Sequence, residues 1–106
     1  MSEKTSGVIA EIAAERRRQV EAEGWTPQHD DEHDRADMAV AASCYAAFTA
    51  ESDGFRAADR ETTRPEAWPW AARWWKPTTR RRDLIKAAAL LVAEIERLDR
   101  MEPPSS

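Results

Sequence analysis

The stretch that most constrains the fold is the C-terminal segment TTRRRDLIKAAALLVAEIERLDR, residues 78–100. Its apolar residues recur at steps of three and four, the period of a helix with one apolar face. Thr78 or Thr79 can cap the first turn, and Pro103 prevents continuation. The sequence therefore predicts a long amphipathic helix. The predicted core-facing residues are Leu84, Ala87, Ala88, Leu91, Val92, Ile95 and Leu98.

Two further helices are predicted nearer the N-terminus. The first covers residues 6–23 and ends at Gly24, before Pro27. The second begins after Asp34, which can cap it, and continues to about Ala50. The stripe that turns toward the core in the first helix is expected to comprise Val8, Ile9, Ile12, Ala13, Arg16 and Val20.

The middle of the chain, residues 51–77, lacks the apolar periodicity of a long helix. Residues 51–64 carry many charges and little apolar content, so they are predicted to form a surface loop. Residues 65–77 follow and contain four of the five tryptophans. Thr63 and Glu66 have the spacing of a capping box, with Pro65 in the first turn, which suggests one short helical turn.

These elements predict an all-α fold, a compact bundle of three main helices with a short Trp-rich helical connection. Its 106 residues suit one domain. We expect a single helical domain over residues 1–102 and a disordered tail over 103–106. Apolar surface that so small a bundle leaves uncovered suggests a homo-oligomer, such as a dimer.

Charge and cysteine content narrow the function. The net charge of −4 argues against general nucleic-acid binding, which needs a basic surface. No apolar run approaches the roughly 20 residues that span a bilayer. The single cysteine, Cys44, fits a reducing compartment. We expect a cytoplasmic protein without membrane contact.

The stretch GWTPQHDDEHDRADM, residues 24–38, is the strongest candidate for chemistry. Divalent cations at phosphate sites take carboxylate oxygens from two or more elements. Asp31, Glu32 and Asp37 supply such oxygens here, and Glu11 and Glu15 lie one turn apart on the first helix. If the two groups converge, the five residues form a magnesium site.

The same stretch has a plainer interpretation. Asp34 would cap the second helix, Asp37 would complement its dipole, and the other acids would be solvated. A third alternative is zinc bound by His29 and His33, whose spacing suits zinc only if both lie on one helix.

Arg80, Arg81 and Arg82 begin the last helix, where the dipole disfavours cations. A bound anion would offset this cost, so the three arginines, with Lys76 nearby, are candidate phosphate ligands. The structural alternative is that they pair with acidic side chains or with a partner protein.

The tryptophans also have two interpretations. Trp70, Trp74 and Trp75 could stack on a nucleotide base or contact a partner protein. The structural alternative is an aromatic plug, with Trp68, that closes one side of the bundle.

Two segments, EIAAERRRQVEAEGWTPQHDDEHD (residues 11–34) and WPWAARWWKPTTRRRDLIKAAALLVAEIERLDR (residues 68–100), resemble a small family of phage and prophage proteins. That family is distantly similar to MazG-like all-α nucleoside triphosphate pyrophosphohydrolases. The resemblance implies an oligomeric helical bundle in which magnesium, held by acids of two helices, activates water to cut between the α and β phosphates. The enzymes' Glu-Glu-x-x-Glu motif is absent here, so Glu15 and Glu32 are the catalytic candidates by proximity.

Three functions are therefore weighed. The first is a magnesium-dependent nucleoside triphosphate pyrophosphohydrolase, and the second is a nucleotide-binding protein that retains its ligand uncut. The third is a phage anti-defence protein that inhibits a host defence complex by protein contact. Converging acids would favour the first, arginines and tryptophan around a cavity with dispersed acids the second, and an exposed patch the third.

Overall fold

A computed structural model describes residues 2–23 and 36–101. Every regular element in these two ranges is helical, which confirms the all-α class. The predicted loop and cap over residues 24–35 and the predicted tail over 103–106 lie outside them. The helices are α1 (Ser2–Glu23), α2 (Asp37–Phe48), α3 (Asp53–Arg56), α4 (Arg60–Thr63) and α5 (Arg80–Met101), with a 3-10 helix at Ala72–Trp74.

The centre of the fold is the contact between α2 and α5. Both helices present small residues here, and Ala41 and Ala93 are buried completely or nearly so. Small side chains let two helix backbones approach closely, while Leu90 fills the space between them. Thr79 caps α5, since its hydroxyl accepts the backbone N–H of Arg82 at 3.1 Å. One of the two predicted caps is thus confirmed.

An aromatic plug covers one side of this helix pair. Trp75 is fully buried and stacks on Tyr45, with ring centroids 4.9 Å apart. Its indole N–H donates to the Thr63 hydroxyl at 3.1 Å, and the indole of Trp68 donates to the carbonyl of Ala71 at 3.1 Å. Each buried ring therefore has an acceptor for its polar atom. The structural interpretation of these two tryptophans is confirmed.

Two local predictions in the middle of the chain were wrong. Residues 51–64 contain α3 and α4, because Ser52 and Asp59 each cap a helical turn by accepting a backbone N–H, at 3.2 and 2.7 Å. Thr63 does not open a capping box. It ends α4 and uses its hydroxyl for Trp75, so the helical turn of this connection forms later, at Ala72–Trp74.

The predicted core faces of α1 and α5 were wrong for their large apolar residues, which point outward, although Arg16 and Ala87 are buried as predicted. In α5 the side against α2 carries alanines and Leu90, whereas the large residues lie on the opposite side. In α1 the buried residues are Glu15, Arg16 and Gln19, since α1 joins α5 through charged groups. In the described part of the chain, no helix is both long and apolar enough to cross a membrane.

Candidate functional site

The most unusual group between α1 and α5 is the carboxylate of Glu15, whose side chain is fully buried. Arg18, one turn along α1, donates to both of its oxygens at 2.9 and 2.8 Å, and the Gln19 amide donates at 3.2 Å. Arg82 donates to it from α5. A buried carboxylate is tolerated only when its charge and lone pairs are matched in this way.

Two opposing effects set the pKa of Glu15. Burial raises it, but the hydrogen bonds and charges of Arg18 and Arg82, with the amide of Gln19, lower it further than burial raises it. The net pKa lies below the ordinary value of 4.5. Glu15 is therefore a carboxylate at neutral pH.

A buried lysine lies beside this carboxylate. The ammonium of Lys86 donates to the carbonyl of Lys76 at 2.5 Å and lies 5.6 Å from the centre of the Tyr45 ring. Burial lowers its pKa, while the charges of Asp83 and Glu15 act in the opposite direction. We call Glu15, Arg18, Gln19, Arg82 and Lys86 the Glu15 cluster. It contains one carboxylate and three cationic groups.

A small cavity opens from the Glu15 cluster toward Tyr45 and Trp74. Its volume is about 10 Å³, the space of a single water molecule. Gln19 is 2% exposed, and its carbonyl oxygen has no hydrogen-bond donor in the part of the chain that the structure describes. The cavity lining consists of Glu15, Arg18, Gln19, Tyr45, Trp74, Lys76, Lys86 and Leu90.

Trp74 forms the outer edge of this cavity together with two cations. The ammonium of Lys76 lies 5.0 Å from the Trp74 ring centre, and the guanidinium of Arg73 lies 5.4 Å from it. Lys76 and Arg73 are exposed and Trp74 is half-buried. We call these three residues the Trp74 rim. An aromatic ring and two cations at a cavity edge suit an anionic ligand with a planar group.

The arginines predicted to bind phosphate are engaged with the protein itself. Arg81 holds the Glu11 carboxylate through two hydrogen bonds of 2.7 Å, which lower the pKa of Glu11. Arg82 binds Glu15. Arg80 donates to the Thr49 carbonyl at 3.0 Å and also pairs with Asp53 at 2.7 Å. The α1 carboxylates thus offset the unfavourable dipole at the start of α5.

The structure describes three of the five candidate magnesium ligands. Glu11 and Glu15 accept hydrogen bonds from arginines, and Asp37 lies half-buried in the first turn of α2. Asp31 and Glu32 lie outside the described residues, as do His29 and His33. Over residues 2–23 and 36–101 no three His, Cys, Asp or Glu side chains come together in a way that could hold a metal. These residues alone do not fit magnesium, and the magnesium site stays a prediction.

The three candidate stacking tryptophans occupy different environments. Trp75 lies in the plug and Trp70 packs edge-to-face on Trp68, with ring centroids 5.5 Å apart. Trp74 is the one of the three that lines the cavity. The site thus combines Trp74 and Lys76, both predicted, with Gln19, Tyr45 and Lys86, which sequence reasoning missed. A signal for Lys86 did exist, since it is the only charge in the run LIKAAALLVA.

The comparisons with known proteins add no relative. The chain matches no protein-family model, no curated protein and no solved structure. The Glu15 cluster and the Trp74 rim are therefore the features of this chain that indicate a function.

Proposed function

We propose that this protein binds a nucleotide, or a similar phosphorylated small molecule, at the Trp74 rim and retains it without cleavage. One observation carries the proposal. The charged lining of the cavity is mainly cationic, with Arg18, Lys76 and Lys86 beside the Trp74 ring, while its one carboxylate, Glu15, already accepts arginine hydrogen bonds.

The cationic excess is the reason to expect phosphate. Cations withdrawn from water are costly unless an anion compensates them, and Lys86 is among the most buried charged residues of the described chain. In the Glu15 cluster, one carboxylate faces three cations, and the nearby carboxylate of Asp83 is already paired with Arg56. A phosphate at the cavity mouth would place negative charge beside these cations and accept charge-assisted hydrogen bonds from Lys76 and Arg18.

The tryptophan is the reason to expect a nucleotide rather than inorganic phosphate. The cavity holds about one water, so the ligand would lie across its mouth with a phosphate directed inward. The half-buried Trp74 ring would stack on the base, a contact worth about 1–3 kcal/mol in other proteins.

Retention is preferred to cleavage because of what surrounds the α1 carboxylates. The carboxylates of Glu11 and Glu15 accept hydrogen bonds from arginine N–H groups, which occupy oxygen lone pairs that a metal would otherwise use. The alternative is a magnesium-dependent pyrophosphohydrolase, in which Glu15 and Glu32 take part in catalysis. The experiment below separates the two.

The test incubates the purified protein with a panel of nucleotides, with and without magnesium. Calorimetry measures binding, gel filtration measures retained ligand, and a coupled assay measures released pyrophosphate. We expect binding without product, and at least a tenfold loss of affinity in Lys76→Gln. The matched control is Arg17→Gln, an exposed α1 residue next to Arg18, which should leave affinity unchanged.

Each other outcome has a defined consequence. Pyrophosphate release that is abolished by Glu15→Gln and by Glu32→Gln would replace retention with the enzyme hypothesis. Failure of every nucleotide to bind would overturn both and favour the anti-defence protein that acts by protein contact. Equal affinity of Lys76→Gln and wild type would show that any nucleotide binds elsewhere.

A further inference from the structure

A second feature of the molecule is independent of the Trp74 rim. The side of α5 opposite α2 carries a row of large apolar residues that nothing in the described chain covers. We call it the outer stripe. Its members are Leu84 (49% exposed), the half-buried Ala88, Leu91 (47%), Ile95 (57%) and Leu98 (41%).

The spacing of the outer stripe is that of a helix–helix seam. Its five positions follow steps of four, three, four and three residues, which is the heptad pattern through which one helix packs along another. The residues that bury α5 against the rest of the fold, such as Leu90 and Ala93, follow a separate pattern on the other side. The helix thus has two apolar faces, and residues 2–23 and 36–101 cover one of them.

Helix α1 adds to the same exposed surface. Val8 and Ile9 are 50% and 64% exposed, and Ile9 and Ile12 share a groove of about 270 Å³ with Val92 of α5. Val92 lies one helical turn from both Ala88 and Ile95, so the groove borders the outer stripe.

The size of this surface is that of half an interface. Six large side chains, each about half exposed, present on the order of 500 Å² of apolar area, the size of a patch that often serves as a binding surface. A stable interface buries about 800 Å² on each partner, of which somewhat more than half is apolar. The exposed surface with its polar surroundings meets that requirement.

We infer that a second copy of this chain covers the outer stripe, with the two α5 helices packed antiparallel about a two-fold axis beside Leu91. The stripe is symmetric about Leu91, so this arrangement brings Leu84 of one copy opposite Leu98 of the other. The charges agree with it. Three arginines and one aspartate open α5, whereas three acids and two arginines lie over residues 94–100, so antiparallel copies set a cationic end against a weakly anionic one.

The first test measures mass in solution by sedimentation equilibrium of the full chain. We expect a dimer for the wild type and a monomer for Leu91→Glu, because the substitution places two carboxylates at the two-fold axis. Phe55→Glu is the matched control. Phe55 is 39% exposed on α3, away from the stripe, and its variant should remain a dimer. Helical circular dichroism establishes that each variant is folded.

The second test fixes the orientation. In a Cys44→Ala background, Leu84→Cys and Leu98→Cys are prepared separately, mixed and oxidised. Antiparallel packing predicts a disulfide-linked dimer in the mixture and little in either variant alone, whereas Leu91→Cys should cross-link by itself. A Leu84→Cys dimer formed alone would contradict the antiparallel arrangement. A monomeric wild type, or a Leu91→Glu variant that stays dimeric, would overturn the inference while leaving the nucleotide proposal untouched.

Discussion

Arg82 of α5 donates a hydrogen bond to the buried carboxylate of Glu15 on α1, across a separation of 67 residues in the chain. The contact is one of several charged links between these two helices. Glu11 pairs with Arg81, and Arg16 pairs with Glu96 at 3.3 Å. Charged groups at the α1–α5 contact therefore take the place that large apolar side chains occupy in most small bundles, and their loss should be measurable.

We predict that Glu15→Gln lowers the free energy of unfolding by about 2–3 kcal/mol. The substitution keeps the shape but leaves Arg18 and Arg82 without their carboxylate, and the partial exposure of both arginines reduces the cost below that of a fully buried pair. Urea unfolding measures the change. Glu11→Gln is the control, since its ion pair is exposed and its loss should leave stability unchanged within error. Equal effects of the two variants would contradict the prediction.

The same carboxylate predicts a pH dependence. The pKa of Glu15 in the folded protein is below its ordinary value of 4.5, so the unfolded chain takes up the proton first. The stabilisation is fully present above about pH 4.5 and is lost as pH falls through the folded pKa. Urea unfolding between pH 7 and pH 3 should show the stability gap between wild type and Glu15→Gln closing on acidification. A gap that stays constant over this range would argue against it.

Asp83 should be the costlier acid to remove. It is fully buried, accepts the backbone N–H of Thr78 at 2.8 Å, and pairs with Arg56 at 3.1 Å, whose guanidinium also donates to the carbonyl of Phe48. Asp83→Ala leaves a buried guanidinium unpaired, so we expect a loss of about 3–5 kcal/mol. The double variant Asp83→Ala, Arg56→Met should recover part of the loss. If thermal unfolding shows no recovery of stability in the double variant, the unpaired Arg56 guanidinium is not the cause of the loss in Asp83→Ala.

A substitution at Ala36 should increase the stability of the protein. It precedes α2 with φ 58° and ψ 37°, a left-handed conformation that costs a residue with a Cβ about 1–2 kcal/mol. Glycine adopts it without strain, so Ala36→Gly should raise the free energy of unfolding by about 0.5–1 kcal/mol. Ala46→Gly, exposed within α2, should instead lower it by up to about 1 kcal/mol. Calorimetric melting of both variants tests whether Ala36→Gly raises the stability and Ala46→Gly lowers it.

The sequence was sufficient for the long helix α5 and for the aromatic plug, but not for the short helices α3 and α4. The periodicity of residues 78–100 predicted α5 closely, and Thr79 marked its start. Exposing several indole rings to water is unfavourable, and Trp68 and Trp75 are accordingly buried. These properties depend on a residue and its near neighbours, so one chain carries enough information about them.

The orientation of the helices could not be obtained in the same way. Periodicity shows that α5 has an apolar face, but it does not tell whether that face meets α2, α1 or a second chain. Leu90 and Leu91 are adjacent, and only the pairing of distant charges such as Glu15 and Arg82 selects which one is buried. For the same reason the sequence did not show that Arg81 and Arg82 pair with carboxylates of α1 while Arg80 pairs with Asp53.

A helix held mainly by ion pairs can open separately from the rest of the molecule. Amide hydrogen exchange in α1 should therefore respond to ionic strength and acid, because salt screens the exposed pair of Glu11 and Arg81. The amides around Trp75 and Leu90, enclosed by rings and alanines, should exchange only when the whole domain unfolds. The contact between α2 and α5 would then persist under conditions in which α1 separates from α5.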